Sequence, residues 1–160
     1  MRLRGLIGIS LLVIMSGITG CGQAPELPPD TFTATYILED GRNFSISGRS
    51  NEMPGEQSEY MLTINSNEER WQDEYYVLLI DSDSIVQEIS HDQFDISGSG
   101  ELQKPINVKF PEGYEGALGL CIIIPKQGRL IATLSIGIQH AIATGWPDIN
   151  YPGHSTTPGS

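Results

Sequence analysis

The sequence predicts an all-β fold, an antiparallel β-sandwich of seven to nine short strands. Three observations lead to this prediction. Short segments alternate apolar and polar residues with a period of two, as half-buried strands do. Glycine, asparagine, aspartate and serine separate these segments. No segment has helical spacing over two or more turns, so an antiparallel sandwich is the simplest way to bury the apolar faces.

Four strands are predicted in the first half of the domain. Residues 31–39 alternate threonine with apolar residues, and the pair at 40–41, Asp-Gly, predicts a hairpin turn. The alternation resumes around residues 44–46 and 60–64. Residues 75–80, YYVLLI, are apolar on both faces, so we expect a central strand that is covered on each side.

The second half predicts further strands with the same kind of spacing. Two weak segments flank His91 and Asp92, and clearer alternation or continuous apolar runs follow. The predicted segments are residues 85–89, 94–96, 106–110, 118–124 and 130–138.

The number and spacing of these strands are similar to those of immunoglobulin-like domains, although other Greek-key sandwiches fit equally well. The disulfide of antibody domains is missing, because Cys121 is the only cysteine after Cys21. The tyrosine of a tyrosine corner is missing too. Gly119 stands two residues before Cys121, and Tyr114 comes too early.

The N-terminus has the layout of an export signal. Arg2 and Arg4 precede an apolar run that is too short for the roughly 20 residues of a spanning helix, and small residues follow. The next residues, Ile18-Thr19-Gly20-Cys21, resemble the lipobox of bacterial lipoproteins. That resemblance implies a diacylglycerol on the Cys21 thiol, cleavage before Cys21 and often acylation of the new amino terminus, with palmitate as the expected kind of acyl chain. The alternative is an ordinary secretory leader that leaves a free cysteine.

Four regions follow from this organisation. Residues 1–20 are the predicted lipoprotein signal peptide, and residues 21–30 are the lipidated cysteine and a proline-rich tether. Residues 31–140 are the sandwich domain. Residues 141–160 form a Pro/Gly-rich tail that we expect to be disordered, although Trp146 could pack back on the sandwich.

The net charge of the chain restricts the classes of binding partner that we expect. Without residues 1–20 the chain has seven basic and twenty acidic residues, a formal charge of −13. A surface of that sign repels phosphate backbones, so we expect no nucleic-acid partner. The expected partners are the membrane, reached through the Cys21 anchor, and an envelope protein or glycan. Gly22 leaves open whether the anchor lies in the cell membrane or the outer membrane, and on the periplasmic or the cell-surface face.

Two aromatic residues are the candidate binding residues. Trp71 lies among four acidic residues in NEERWQDEYY, as an interaction hot spot would, and Tyr114 could join it in binding carbohydrate or another solute. Trp71 also has the same strand parity as Tyr75 and Val77, which favours burial with them. Both interpretations of Trp71 remain open at this stage.

Catalytic and metal-binding patterns are weak. The sequence has no phosphate-binding glycine loop, nucleophile elbow or zinc motif, so we expect neither an enzyme nor a cofactor. His91 and Asp92 are adjacent and would point to opposite faces of a strand. Asp81 and Asp83 are a calcium candidate that fails the calcium-loop template and that an Asx turn explains equally well. Cys121 is expected to be a buried thiol with a raised pKa.

The sequence therefore predicts a non-catalytic, membrane-tethered lipoprotein of the cell envelope whose β-sandwich is an interaction module. A carbohydrate-binding or solute-binding protein is the alternative. An envelope hydrolase is a weaker third hypothesis, because it would need polar side chains that converge in a cleft.

Overall fold

Nine β-strands and no helix make up the part of the chain that the computed structural model describes, residues 30–67, 69–137 and 145–149. Within those residues there is accordingly no helix that could cross a membrane. The strands are β1 (Thr31–Ile37), β2 (Asn43–Arg49), β3 (Asn51–Glu52), β4 (Gln57–Ser66), β5 (Trp71–Ile80), β6 (Ile85–Ile96), β7 (Gly100–Lys109), β8 (Gly116–Ile124) and β9 (Gly128–Ile136).

The strands form two packed sheets. One has the order β1-β2-β4-β7 and is antiparallel throughout, and the other has the order β3-β9-β8-β5-β6, in which only β3 and β9 are parallel. Strands β2, β4 and β7 take the places of strands A, B and E of an immunoglobulin-like domain. Strands β9, β8, β5 and β6 take those of G, F, C and C′. The predicted all-β sandwich is therefore confirmed, with β1 as an additional edge strand.

The core lies between the sheets, where alternate residues of each strand meet. Because neighbouring residues of a strand point to opposite faces, each period-two segment contributes one apolar row. Residues of this layer that are almost completely buried include Phe44, Ile46, Leu62, Ile64, Tyr75, Val77, Leu79, Val108, Leu118, Leu120, Ile122 and Leu134.

The outer face of the five-stranded sheet is also apolar, as the sequence YYVLLI predicted for a strand covered on both sides. A second buried cluster on this face contains Tyr76, Leu78 and Cys121. Part of the C-terminal tail covers it, because Ile149 is buried in the cluster and Trp146 packs against it. Residues 145–149 of the tail therefore pack on the sandwich, as was left open for Trp146. The rest of the tail, residues 141–144 and 150–160, lies outside the described residues.

The short strand β3 moves the chain from one sheet to the other. Its Glu52 is almost completely buried, and both carboxylate oxygens accept hydrogen bonds. Ser58 Oγ donates to one at 2.6 Å and Tyr60 Oη donates to the other at 2.9 Å. Burial and the charge of Glu52 raise the pKa of Tyr60, which keeps its hydroxyl protonated as a donor.

The turns of the sandwich collect at two ends. Asp30 lies at the end that we call the tether end, where its carbonyl oxygen accepts bonds from Ser50 N at 2.7 Å and Ser50 Oγ at 3.0 Å. Strand β1 then runs away from it for seven residues, about 23 Å at the usual rise. The opposite end, which we call the loop end, carries the turns at residues 38–42, 67–70 and 125–127.

The first of these turns confirms the predicted hairpin. Leu38 N donates to Arg42 O at 2.8 Å and Gly41 N donates to Leu38 O at 3.0 Å, which closes a three-residue loop. Gly41 has a φ of 87°, the left-handed conformation that this type of hairpin requires at its last loop position.

Candidate functional site

Two turns enclose a small polar pocket at the loop end. Its volume is about 260 Å³, and we call it the loop-end pocket. The β1–β2 turn and the β4–β5 turn line it with Asp40, Arg42, Asn67, Glu69 and Arg70. Asn67 Nδ2 donates to the backbone oxygen of Asp40, so the two turns are joined directly. The β4–β5 turn corresponds to the B–C loop, which is a binding loop in antibody variable domains.

Ion pairs fix the charged groups around this pocket. Arg42 Nε donates to Asp40 Oδ2 at 2.7 Å, and Arg70 Nε donates to Asp95 Oδ1 at 2.8 Å. The hydrogen bonds from Arg42 and Arg70 lower the pKa of Asp40 and Asp95 respectively. Both carboxylates are held ionised, which suits them to electrostatic contacts and not to proton transfer near neutral pH.

Trp71 lies beneath Arg42, inside the sandwich. Its side chain is only 2% exposed, and its ring meets Phe94 edge-on at 5.2 Å between centroids. Its indole nitrogen Nε1 has no hydrogen-bond partner among the described residues. The proposal of Trp71 as an exposed contact residue is therefore corrected: its parity with Tyr75 and Val77 places it in the core layer.

Tyr114, the other candidate binding residue, is half-buried at the tether end. Its hydroxyl donates to Ala117 O at 3.0 Å, and burial together with the charge of Asp81 raises its pKa. Trp71 begins β5, whereas Asp81 directly follows that ten-residue strand. The two aromatic residues are therefore separated by about 30 Å of strand and form no common site.

The calcium candidate lies in a hydrogen-bonded turn. Asp81 Oδ1 accepts from Asp83 N at 2.9 Å and from Ser84 N at 2.7 Å, which is an Asx turn. These bonds lower the pKa of Asp81. In the described parts of the chain, no three histidine, cysteine or acidic residues gather where they could hold a metal ion.

His91 and Asp92 point to opposite sides of β6, as their adjacency predicted. The His91 ring stacks on Tyr76 at 4.0 Å, and its Nε2 lies 3.0 Å from Glu74 Oε2. Asp92 Oδ2 instead lies 3.5 Å from Lys104 Nζ on the other sheet. The two side chains therefore do not act on one point.

Cys121 is fully buried, as the sequence predicted. Burial raises the pKa of its thiol to about 12. It is held as a neutral thiol inside the sheet and is shielded from reagents.

A second depression at the loop end was not predicted from the sequence. It has a volume of about 420 Å³ and lies between residues 36–42 and the turn that holds Lys126. Ile37 beside it is 71% exposed. Lys126 has a φ of 66° and follows Pro125, as at the third position of a type II turn, where glycine is usual. The only signal in the sequence is that Ile37 interrupts the row of threonines at 31, 33 and 35.

No protein-family model matches the chain, and no curated protein matches its sequence. Two similar solved structures are those of a β-glucosidase from Listeria innocua, in complex with gluconolactone (TM-score 0.46, 12% identity) and with glucose (TM-score 0.44, 11% identity). Each similarity covers 71% of this chain and 16% of the enzyme. The chain spans about a sixth of that enzyme's length, and a similarity this distant carries no argument about activity.

Proposed function

We propose that this protein is a non-catalytic lipoprotein of the cell envelope that binds another envelope protein through the loop end of its sandwich. One observation carries the proposal. The tether joins at Asp30, whereas the turns at residues 38–42, 67–70 and 125–127 lie at the opposite end of the strands. Loops on a rigid sandwich are the common location of binding residues.

The anchor is supported by the sequence around Cys21. An aliphatic residue, two small residues and a cysteine follow an apolar run that is too short to span a bilayer. Two or more acyl chains at that cysteine would anchor the chain stably, whereas one chain gives marginal binding. The nine residues from Gly22 to Asp30 could then span at most about 30 Å when fully extended.

The chemistry of the loop end suits a protein partner. Arg42 and Arg70 present charged groups in fixed positions, and Ile37 offers exposed apolar surface near them. Interfaces of this kind combine an apolar centre with a polar rim. The loop-end pocket is smaller than the roughly 300–1,000 Å³ that pockets for drug-sized ligands occupy.

Site-specific photocrosslinking in the native membrane tests the binding surface. A photoreactive residue at Ile37 or Lys126 should give one discrete crosslinked partner other than a second copy of this chain. The same residue at Asp83, which is exposed in a turn at the tether end, is the matched control. Equal crosslinking from all three positions, or none from either loop-end position, would reject the proposed surface.

Detergent phase partition tests the anchor separately. The mature protein should enter the detergent phase and carry the mass of an acylated Cys21, and a Cys21→Ser variant should retain its leader. A mature chain in the aqueous phase with an unmodified Cys21 thiol would reject lipid anchoring and leave the loop-end surface to be judged by crosslinking.

A further inference from the structure

Strand β1 is an edge strand without the features that normally prevent edge-to-edge pairing. Its sequence, TFTATYI, has no charge, proline or glycine and is rich in residues that favour strands. Its register with β2 is continuous over all seven residues, from Thr31 opposite Arg49 to Ile37 opposite Asn43. Within the described residues, no strand pairs with its other edge. A regular, uncharged edge of this kind is a template for a further strand.

The other three edges of the sandwich are protected. Strand β3 has only two residues. Strand β7 contains Pro105 and the charged residues Glu101, Lys104 and Lys109. Strand β6 has acidic residues and two irregularities in its pairing with β5, and such bulges twist an edge away from partners. Strand β3 leaves residues 128–134 of β9 unpaired on that side, but this stretch contains Gly128 and the charged Arg129. Strand β1 is therefore the longest edge without a charge, proline or glycine among the described strands.

The hydrogen-bond pattern shows which backbone groups of β1 face outward. Asp30 bonds Ser50, and Leu38 bonds Arg42, at either end of the β1–β2 ladder. Bonded pairs alternate along an antiparallel ladder, so the even-numbered residues of β1 bond β2. The N–H and C=O groups of the odd-numbered residues point to the open edge. These residues are Thr31, Thr33, Thr35 and Ile37.

The sequence of β1 is nearly symmetric about its central residue, Ala34. In an antiparallel pair centred there, Thr33 faces Thr35, Phe32 faces Tyr36, and Ala34 faces its own copy. Threonine pairs and aromatic pairs are favourable across strands, and no like charges oppose each other. The odd-numbered residues would form the hydrogen-bonded pairs. In this one register, the outward-facing N–H and C=O groups of all four residues would have hydrogen-bond partners. We propose that β1 pairs antiparallel with β1 of a second copy of this chain, which joins two four-stranded sheets.

This pairing is isologous and closes as a two-fold dimer. It would form about eight backbone hydrogen bonds, and its area is small compared with a stable interface. We therefore expect a weak dimer that forms where copies are concentrated, as on a membrane. The two-fold axis can lie along the membrane normal, with both Asp30 tethers reaching the same surface. The pairing is argued from the edge of β1 and does not depend on the proposed function. Ile37 belongs to both surfaces, whereas Lys126 lies outside β1 and reports on the loop end alone.

Disulfide trapping tests the register. In the full-length protein, extracted from membranes in mild detergent, Ala34→Cys places two cysteines at the two-fold axis. Residues opposite each other in a non-bonded antiparallel pair have Cα atoms about 4.5 Å apart, which is within disulfide range. Oxidation should give a covalent dimer. Thr133→Cys, on the exposed side of β9, is the control. The proposal would be overturned if the yield of covalent dimer from A34C were no greater than the yield from T133C.

A proline variant tests the backbone contacts independently. Thr33→Pro removes an N–H that points to the open edge and removes no bond to β2, so the fold should remain intact. Thr33→Val keeps that N–H. Sedimentation of the concentrated proteins should show a dimer for the wild type and T33V and a monomer for T33P, with near-UV circular dichroism confirming the fold. A dimer that survives in T33P, or one that is absent from the wild type, would overturn the proposal.

Discussion

The guanidinium carbon of Arg42 lies 4.5 Å from the centre of the Trp71 ring, while the same guanidinium is paired with Asp40 at 2.7 Å. The β1–β2 turn is thereby attached to the first residue of β5, on the other sheet. A cation above the face of an indole is attracted by its quadrupole, and the contact also covers the ring. Arg42 therefore connects the loop-end pocket to the core.

Removing Arg42 should expose Trp71. In Arg42→Ala we expect a red-shifted tryptophan emission, stronger acrylamide quenching and a loss of about 1 kcal/mol in the free energy of unfolding. Trp146→Phe is included in every sample so that Trp71 alone is observed. Arg70→Ala is the matched control, because Arg70 pairs with the exposed Asp95 at the same end of the sandwich. Equal quenching in both variants would contradict the covering role of Arg42.

Gly48 provides space for the ring of Tyr60. A Cβ at position 48 would lie 2.3 Å from Tyr60 Cδ1, and Tyr60 is fixed by its bond to Glu52. Gly48→Ala should therefore lower the free energy of unfolding by about 1–3 kcal/mol, the usual cost of overpacking. Gly145→Ala, where a Cβ would meet nothing within 4 Å, is the control. Urea unfolding measures the free energy of unfolding of both variants. An equal loss in the two would contradict the steric role of Gly48.

The buried Glu52 should matter through its two hydroxyl partners. Glu52→Ala leaves the buried Tyr60 hydroxyl without its acceptor, and we expect a loss of about 3 kcal/mol. Glu52→Gln keeps one carbonyl oxygen and adds an amide that can donate to the other hydroxyl, so its loss should be smaller. Denaturant midpoints measure both, and equal losses would show that the hydrogen bonds do not carry the effect.

Cys121 should make the stability depend on pH in alkaline solution. Its pKa is about 12 in the folded protein and about 8.5 in an unfolded chain. The stabilisation is fully present below pH 8.5 and is lost as the pH rises towards 12, because only the unfolded chain can ionise the thiol. Cys121→Ala should flatten this part of the stability curve relative to the wild type. The two proteins differ only at this residue, so the difference between their stability curves isolates Cys121.

The strands could be predicted where one residue pattern determined them, and the exceptions have physical reasons. Strand β3 has two residues and exists only because β9 pairs with it, which no local pattern shows. Strand β6 was predicted as two segments because residues 90–93 are all polar, whereas its pairing with β5 makes one strand of Ile85–Ile96. The parity of Trp71 with Tyr75 favoured burial of the tryptophan, and the structure shows Trp71 buried in the core.

The candidate site was less accessible to sequence reasoning. Arg42 and Arg70 are 28 positions apart and meet around one pocket only because β2 and β4 are neighbours in the sheet. Nothing local to either turn indicates that neighbour. Ile37 shares the strand parity of Thr31, Thr33 and Thr35, which places its side chain on the exposed outer face of the sheet, but only the fold brings it close to the turn of Lys126. Long-range topology, which periodicity does not encode, places these residues together.

Segment 145–149 sets the practical boundary of the folded unit. Trp146 and Ile149 cover the apolar outer face of the five-stranded sheet. Arg129 Nη1 holds this segment in place by donating to Pro147 O at 3.0 Å. A chain truncated at the end of β9 would expose Leu78, Cys121 and Ile123 to solvent. Large exposed apolar patches of this kind promote aggregation. A truncated form of this protein for crystallisation or binding assays should therefore retain residues 145–149.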